Sequence, residues 1–227
     1  MFSLSGTEFI TMGWWSISIG AIGAAVAGII IANTDYLLSK TEKATLEYLK
    51  QIELKTIGDE PKSFKAKELW EKNGAVIMAV RRPGCFLCRE EASGLSAIKP
   101  KLDELGVPLY AVVKEKLGTE VEDFQPFFKG EIFLDEKRLF YGPQKRKMVL
   151  MGLLRWGVWQ NFRRAWNGGF EGNLEGEGLI LGGMFVIGAG NQGILFEHRE
   201  KEFGNIANIA EVLEAARKID QQKAGDK

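Results

Sequence analysis

Histidine is almost missing from this sequence, with one residue in 227, and cysteine occurs only twice. A single imidazole excludes any mechanism that needs several. Two thiols exclude a small secreted scaffold stapled by disulfides. Neither charge is in excess: 30 Lys and Arg face 30 Asp and Glu. A dedicated nucleic-acid binder carries a strong basic surplus, so that class is set aside. With 45% hydrophobic and 26% charged residues, whole-chain disorder and low complexity are also excluded. The length suits one domain, or one domain with an appendage.

Charge is also missing locally. Residues 1–34 contain only Glu8, and the stretch from Phe9 to Thr34 contains none. A bilayer-crossing helix needs about 20 apolar residues, and this run is long enough. Trp14 and Trp15 near its start and Tyr36 past its end stand where interfacial aromatics gather. Gly20, Ala24 and Gly28 repeat every fourth residue, a small-residue face suited to helix–helix contact. Three readings stay open: a membrane anchor, a secretory signal, or a hydrophobic helix packed on the domain or peripherally attached. The missing Lys or Arg ahead of the run, and its excess length, weigh against a signal. The interrupting Gly, Ser and Thr residues keep the third reading in play. In a spanning helix, Lys40 and Lys43 against Glu8 would leave the C-terminal domain in the cytoplasm.

Beyond this segment the chain reads as an α/β domain. Residues 40–57 carry apolar positions among charges and predict a short amphipathic linker helix. Phe64 to Lys72 predicts a second helix, with Trp70 facing inward. Gly74 to Val80 is a continuous apolar run, the mark of a buried central strand. Leu87, Leu95, Ile98, Leu102 and Leu105 keep near-helical spacing over 85–105, with Gly106 placed as a C-terminal cap. Pro100 predicts a kink or a break in that helix. Val107 to Val113 reads as a parallel partner strand, completing a βαβ unit with an expected right-handed crossover. Glu131–Leu134 and Leu139–Tyr141 read as a strand pair, and 148–166 as a helix. Met184–Ile187 and Ile194–His198 read as a hairpin, and Ile206–Ile219 as a closing helix. The expected sheet is mixed: parallel in its first half and antiparallel at its end. The segments are 1–36 hydrophobic, 37–59 linker, 60–220 domain and 221–227 polar tail.

Both cysteines fall in one motif, Cys85-Phe86-Leu87-Cys88, between the first buried strand and its helix. A C-x-x-C beside a βαβ pattern is a thiol-disulfide signature. Free N–H groups and the positive dipole end of a helix start stabilise a thiolate. Arg81, Arg82 and Arg89 add positive charge, which Glu90 and Glu91 partly oppose. The expected nucleophile is Cys85, taken as the more exposed thiol, and Cys88 resolves. A zinc site would need about four ligands, and no second C-x-x-C exists. Two inert core thiols are the bland alternative.

At these residues the sequence resembles a known family. KELWEKNGAVIMAVRRPGCFLCREEA, GVPLYAVVKE, DFQPFFKGEIFLDE, RAWNGGFEGNLEGEG and QGILFEHREKEFG are similar to the peroxiredoxin-like 2 family, type A, nearly end to end. The resemblance implies a thioredoxin-like mixed sheet flanked by helices, with an N-terminal hydrophobic helix. It implies an antioxidant, redox-regulating protein acting through Cys85 and Cys88, and restraint of inflammatory and osteoclast-type signalling. The family is associated with cytoplasm and with secretion. The pattern departs from typical peroxiredoxins: Arg82, not Thr or Ser, stands three residues before Cys85. Gly84 replaces the Trp that precedes a thioredoxin C-x-x-C. Leu181-Gly182-Gly183 stands where a cis-proline is usual.

Arg81, Arg82 and Arg199 are candidates for stabilising a thiolate or an oxygen leaving group. A cellular thiol reductant of thioredoxin or glutathione type would restore the dithiol after attack on a peroxide or protein disulfide. No cofactor, metal or nucleic acid is expected, and an anchored form would meet the membrane through residues 9–32. A redox sensor or scaffold that keeps the fold without turnover is the rival reading.

Other signals weigh less. Gly188-Ala-Gly-Asn-Gln-Gly193 matches a dinucleotide fingerprint, but a strand follows it where that fingerprint needs a helix, so it reads as a hairpin turn. Residues 145–166 mix basic side chains with Trp156, Trp159, Phe162 and Trp166. They read as a helix packing its aromatics inward, with a membrane-surface helix as the alternative. Lys145-Arg-Lys147 is a weak nuclear signal. Gly168 to Gly178 reads as a flexible surface loop. His198 reads as a surface histidine, or as a structural or pKa-tuning neighbour of the thiols.

Overall fold

The computed structural model describes residues 21–34, 42–148 and 150–225. Most of the hydrophobic N-terminal segment therefore lies outside the described residues. Residues 21–32 are helical (α1). Among the described residues no helix is long and apolar enough to cross a membrane.

The expected linker helix is present only as α2, Leu46–Lys50, capped by the Thr45 hydroxyl, which accepts from the Tyr48 N–H. The chain then extends as β1, Glu53–Thr56, and turns into β2, Ser63–Lys65. Leu54 is fully buried while Glu53 is exposed, the alternation of a strand covered on one face. Residues 53–56 thus belong to the sheet. The predicted helix at 64–72 is instead the end of β2 and a single 3-10 turn, Ala66–Leu69, that delivers Trp70 into the core.

The centre forms as expected. β3, Ala75–Ala79, is buried throughout. It leads to α3, Phe86–Glu104, and to the parallel strand β4, Leu109–Val113. α3 runs through Pro100 as one helix, not two. It ends at Gly106, whose φ of 67° is the left-handed conformation that glycine adopts freely. The Gly106 N–H donates to Asp103 O and the Val107 N–H to Leu102 O, the double closure of a Schellman cap.

A short helix, α4, Glu120–Phe124, precedes β5, Glu131–Leu134. The predicted partner strand at 139–141 is a turn. The Asp135 carboxylate accepts from the Phe140 N–H at 2.7 Å, curling the chain so that Phe140 and Tyr141 drop into the core. β5 pairs instead with β4 and, antiparallel, with β1. Helix α5 spans Trp156–Asn167, after a 3-10 segment over Leu150–Leu154. β6, Gly183–Ile187, and β7, Ile194–Arg199, form the terminal hairpin around Gly188–Gly193, the turn expected there. α6, Ile209–Gly225, closes the chain and continues into residues read as a polar tail.

The seven strands order as β2-β1-β5-β4-β3-β6-β7. β5, β4 and β3 run parallel, and the strands outside them run antiparallel to their inner neighbours. A βαβ unit joined edgewise to a ββα unit is the thioredoxin-like arrangement. β3 divides the core by its period of two. Val76, Met78 and Val80 pack beneath α3 and α6, while Ala75, Ile77 and Ala79 pack with Trp70, Phe140 and Phe185. The C-x-x-C lies on the first side.

Candidate redox site

β3 ends at Ala79, and α3 begins at Phe86 with Cys85 as its N-cap. Both thiols are free. Each is only 3% exposed, so Cys85 is not the open nucleophile that its position suggested. Cys88 sits one turn into the helix, on the face turned to the core.

Arg81 reaches Cys85 directly: its Nη2 lies 2.7 Å from Cys85 Sγ. The same guanidinium donates to Gly178 O at 3.1 Å, faces the Glu200 carboxylate at 3.8 Å and stacks over Phe203. Its burial opposes the charge, but Cys88, Cys85 and Glu200 outweigh that cost and keep it protonated.

The two thiols differ electrostatically. Cys85 is held well below the ordinary thiol range. The Cys88 thiol donates to it, which more than offsets desolvation; Arg81 and the first-turn N–H groups of Cys88 and Leu87 add to the lowering. Cys88 is pushed well up by that same hydrogen bond and by burial. One thiolate beside one thiol is the arrangement of a nucleophile and its resolving partner.

The other two candidate arginines act elsewhere. Arg82 donates from Nη2 to Asn173 O at 2.7 Å. Arg199 is not brought to the thiols. It bonds Glu197 at 2.8 Å and Phe140 O at 2.8 Å, and it stacks on Phe185, across the sheet. Side chains alternate along β7, so Arg199 and Glu197 share that far face. Glu200, the next residue, lies on the thiol side. His198 binds Asn205 O through Nε2 at 2.7 Å. Desolvation lowers its pKa, which leaves a neutral imidazole in a structural role.

Two buried carboxyls flank the site: Glu200, not anticipated from the sequence, and Glu91, expected only to oppose the charge of the arginines. Glu200 accepts from the Gly182 N–H at 2.7 Å and pairs with Arg81; burial raises its pKa. Glu91 accepts from the Ala207 N–H at 3.0 Å, and burial, with Glu200 nearby, raises its pKa to about 8. The spacing held the signal for Glu91. It stands three residues after Cys88, on the same helix face. Glu90, by contrast, points outward and pairs with Arg164.

The glycine-rich segment read as a flexible surface loop is pinned over the motif as a strap. The Asn173 N–H donates to Gly84 O at 2.7 Å. Arg81, Arg82 and Arg89 hold Gly178 O, Asn173 O and Glu171 O. The approach is close enough to exclude a side chain at Gly172. A Cβ there would lie 2.4 Å from Gly84 O and 2.5 Å from Phe86 N. An open cleft of about 850 Å³ elsewhere, lined by Thr56, Lys116 and Glu131 among others, contains neither thiol. Among the described residues no group of three His, Cys, Asp or Glu could hold a metal.

Comparison with known proteins places the chain. The family model described as AhpC/TSA antioxidant enzyme matches residues 94–202, beginning after both cysteines. The peroxiredoxin-like 2A of Xenopus laevis is 75% identical over 99% of this chain and 98% of its own length. That of Homo sapiens is 69% identical over 96% of each. That of Danio rerio is 65% identical over 93% of this chain and 100% of its own. Among solved structures, the bacterioferritin comigratory protein of Xanthomonas campestris aligns at a TM-score of 0.46 and 14% identity, covering 83% of this chain and 99% of that one. Identity this high across nearly the whole length shows that the chain belongs to the peroxiredoxin-like 2A family.

Proposed function

We propose that this protein is a dithiol redox protein in which Cys85 is the nucleophile and Cys88 the resolving thiol. Family membership supports thiol-based antioxidant function in general terms. The observation that carries the specific assignment is the Arg81 guanidinium 2.7 Å from Cys85 Sγ, at the N-cap of α3.

Atoms and electrons balance at each step. The Cys85 thiolate attacks the outer oxygen of a hydroperoxide, the O–O bond breaks, and the departing alkoxide takes a proton to leave as alcohol or water. Cys85 is then a sulfenic acid. Cys88 attacks that sulfur and expels water, forming the intramolecular disulfide. Two thiols of an external reductant, of thioredoxin or glutathione type, restore the dithiol and become a disulfide. With a protein disulfide as oxidant, Cys85 forms a mixed disulfide that Cys88 resolves. Arg81 stabilises the thiolate, and Glu200 keeps Arg81 oriented.

The closed strap favours a second reading, a sensor that oxidises once and passes its state to partners. The family-implied restraint of inflammatory and osteoclast-type signalling would then depend on partners that read the dithiol. Thiol trapping and mass spectrometry across a glutathione series, beside peroxide consumption with a reductant present, separate the two. Many turnovers that vanish in Cys85→Ser support the catalyst. One disulfide per chain without turnover supports the sensor. No disulfide at any potential refutes both.

A further inference from the structure

The aromatic helix α5 does not pack its tryptophans inward, as the sequence suggested. Trp156, Trp159 and Trp166 are 70%, 57% and 77% exposed. At 100° per residue, these three and Arg163 fall within about 80° of one another on the helix surface. The adjoining face carries the packing: Val158 and Ala165 are buried, and Phe162, beside Trp159, meets Phe86 edge to face at 5.3 Å.

This stripe continues into other exposed apolar side chains. Leu153 and Leu154 precede it, and α1 exposes Ile22, Val26, Ile29, Ile30 and Ile31. Hydrogen bonds join the two regions. Asn33 Nδ2 donates to Leu154 O at 3.0 Å, the Trp156 N–H to Asn33 Oδ1 at 2.8 Å, and Arg155 Nη1 to Thr34 O at 3.1 Å. The end of α1 is thus fastened to the start of the tryptophan helix. Soluble monomers rarely expose contiguous apolar patches beyond a few hundred Å², and larger ones mark interaction surfaces.

We propose that this combined face of α5 and α1 docks on the surface of an anionic lipid bilayer. Composition selects the occupant. Tryptophan is the side chain of the membrane–water boundary, with an apolar ring and a polar N–H. Arg163 stands among the tryptophans, as basic residues do on interfacial helices. Arg163 supplies the positive charge of this face, since Arg155 and Arg164 of the same segment are paired with Glu202 and Glu90. α1 lies within the uncharged stretch from Phe9 to Thr34. The same α5 touches Phe86 inside the C-x-x-C, so docking brings the dithiol close to the bilayer.

The test is vesicle flotation of the full chain, using phosphatidylcholine alone and phosphatidylcholine mixed with phosphatidylserine. The expected result is binding to the mixed vesicles, weakening with salt. Trp156→Ala/Trp159→Ala/Trp166→Ala should abolish most of it, and Arg163→Glu should weaken it roughly tenfold. These side chains are exposed, so the variants keep the fold, which circular dichroism checks. No binding to either vesicle overturns the proposal. Unchanged binding of the triple variant overturns the role of α5, and equal binding to both vesicles overturns the anionic preference. Self-association that the triple variant loses, without vesicle binding, would make this face an interface between copies and refute the lipid assignment.

Discussion

Replacing Arg81 with methionine removes the charge beside Cys85 while keeping much of the apolar stem. The interaction that disappears is a charge-assisted hydrogen bond of 2.7 Å inside a buried site. Such bonds contribute about 1.5–3 kcal/mol, and one pKa unit corresponds to about 1.4 kcal/mol. The Cys85 pKa should therefore rise by roughly one to two units in Arg81→Met. The rise does not erase the whole depression, because a hydrogen-bond donor at position 88, the largest cause of the lowering, stays in place. The assay is thiolate absorbance in the far ultraviolet against pH in a Cys88→Ser background, where the serine hydroxyl keeps a donor and only one thiol titrates. Alkylation rate against pH gives an independent reading. Arg81→Lys keeps the charge without the planar fork and should fall between the two. A Cys85 pKa unmoved in a folded Arg81→Met variant would refute the assignment of Arg81 as the thiolate clamp.

Three further outcomes are expected. Glu91 has a pKa of about 8 in the fold against 4.5 when free. The native state holds this proton where the unfolded state has released it, so stability declines as pH climbs from 4.5 to 8, by an amount on the order of 5 kcal/mol once complete. Glu91→Gln removes that decline, so its Tm should exceed wild type at pH 8 and converge with it near pH 4. Gly172→Val should push the strap off Gly84 and Phe86 and speed Cys85 modification by a bulky maleimide, with little effect on a small alkylating agent. Trp70→Ala, emptying a site that is 1% exposed, should cost about 3–5 kcal/mol in urea unfolding.

The centre of the molecule was legible because its elements are long and strongly patterned. Ala75–Ala79 is apolar at every position, α3 repeats leucine at helical intervals, and the terminal hairpin surrounds a glycine turn. The edge was harder to read. Glu53–Thr56 alternates over only four residues, and its partner β5 lies far along the chain. Leu139–Tyr141 has strand-like composition, but one carboxylate, Asp135, redirects it. The tryptophans of α5 were read as core because aromatics usually are. Their spacing in fact sets them on a face adjoining that of Val158 and Ala165. In the site, Cys85, Cys88 and Arg81 could be found from local spacing alone. Arg199 was chosen by charge, although strand parity places Glu200 on the thiol side. The strap could not be read from its own glycines, since what holds it are arginines about ninety residues earlier.

The pinned strap also carries a kinetic signature. A thiol sealed beneath backbone can react only during openings, which for loops of this kind fall between nanoseconds and seconds. When a reagent outruns reclosing, its observed rate stops growing with concentration and settles at the opening rate. Chemically unrelated oxidants and alkylators should then share one ceiling, set by the hydrogen bonds of Asn173 and its arginine partners rather than by the reactivity of sulfur.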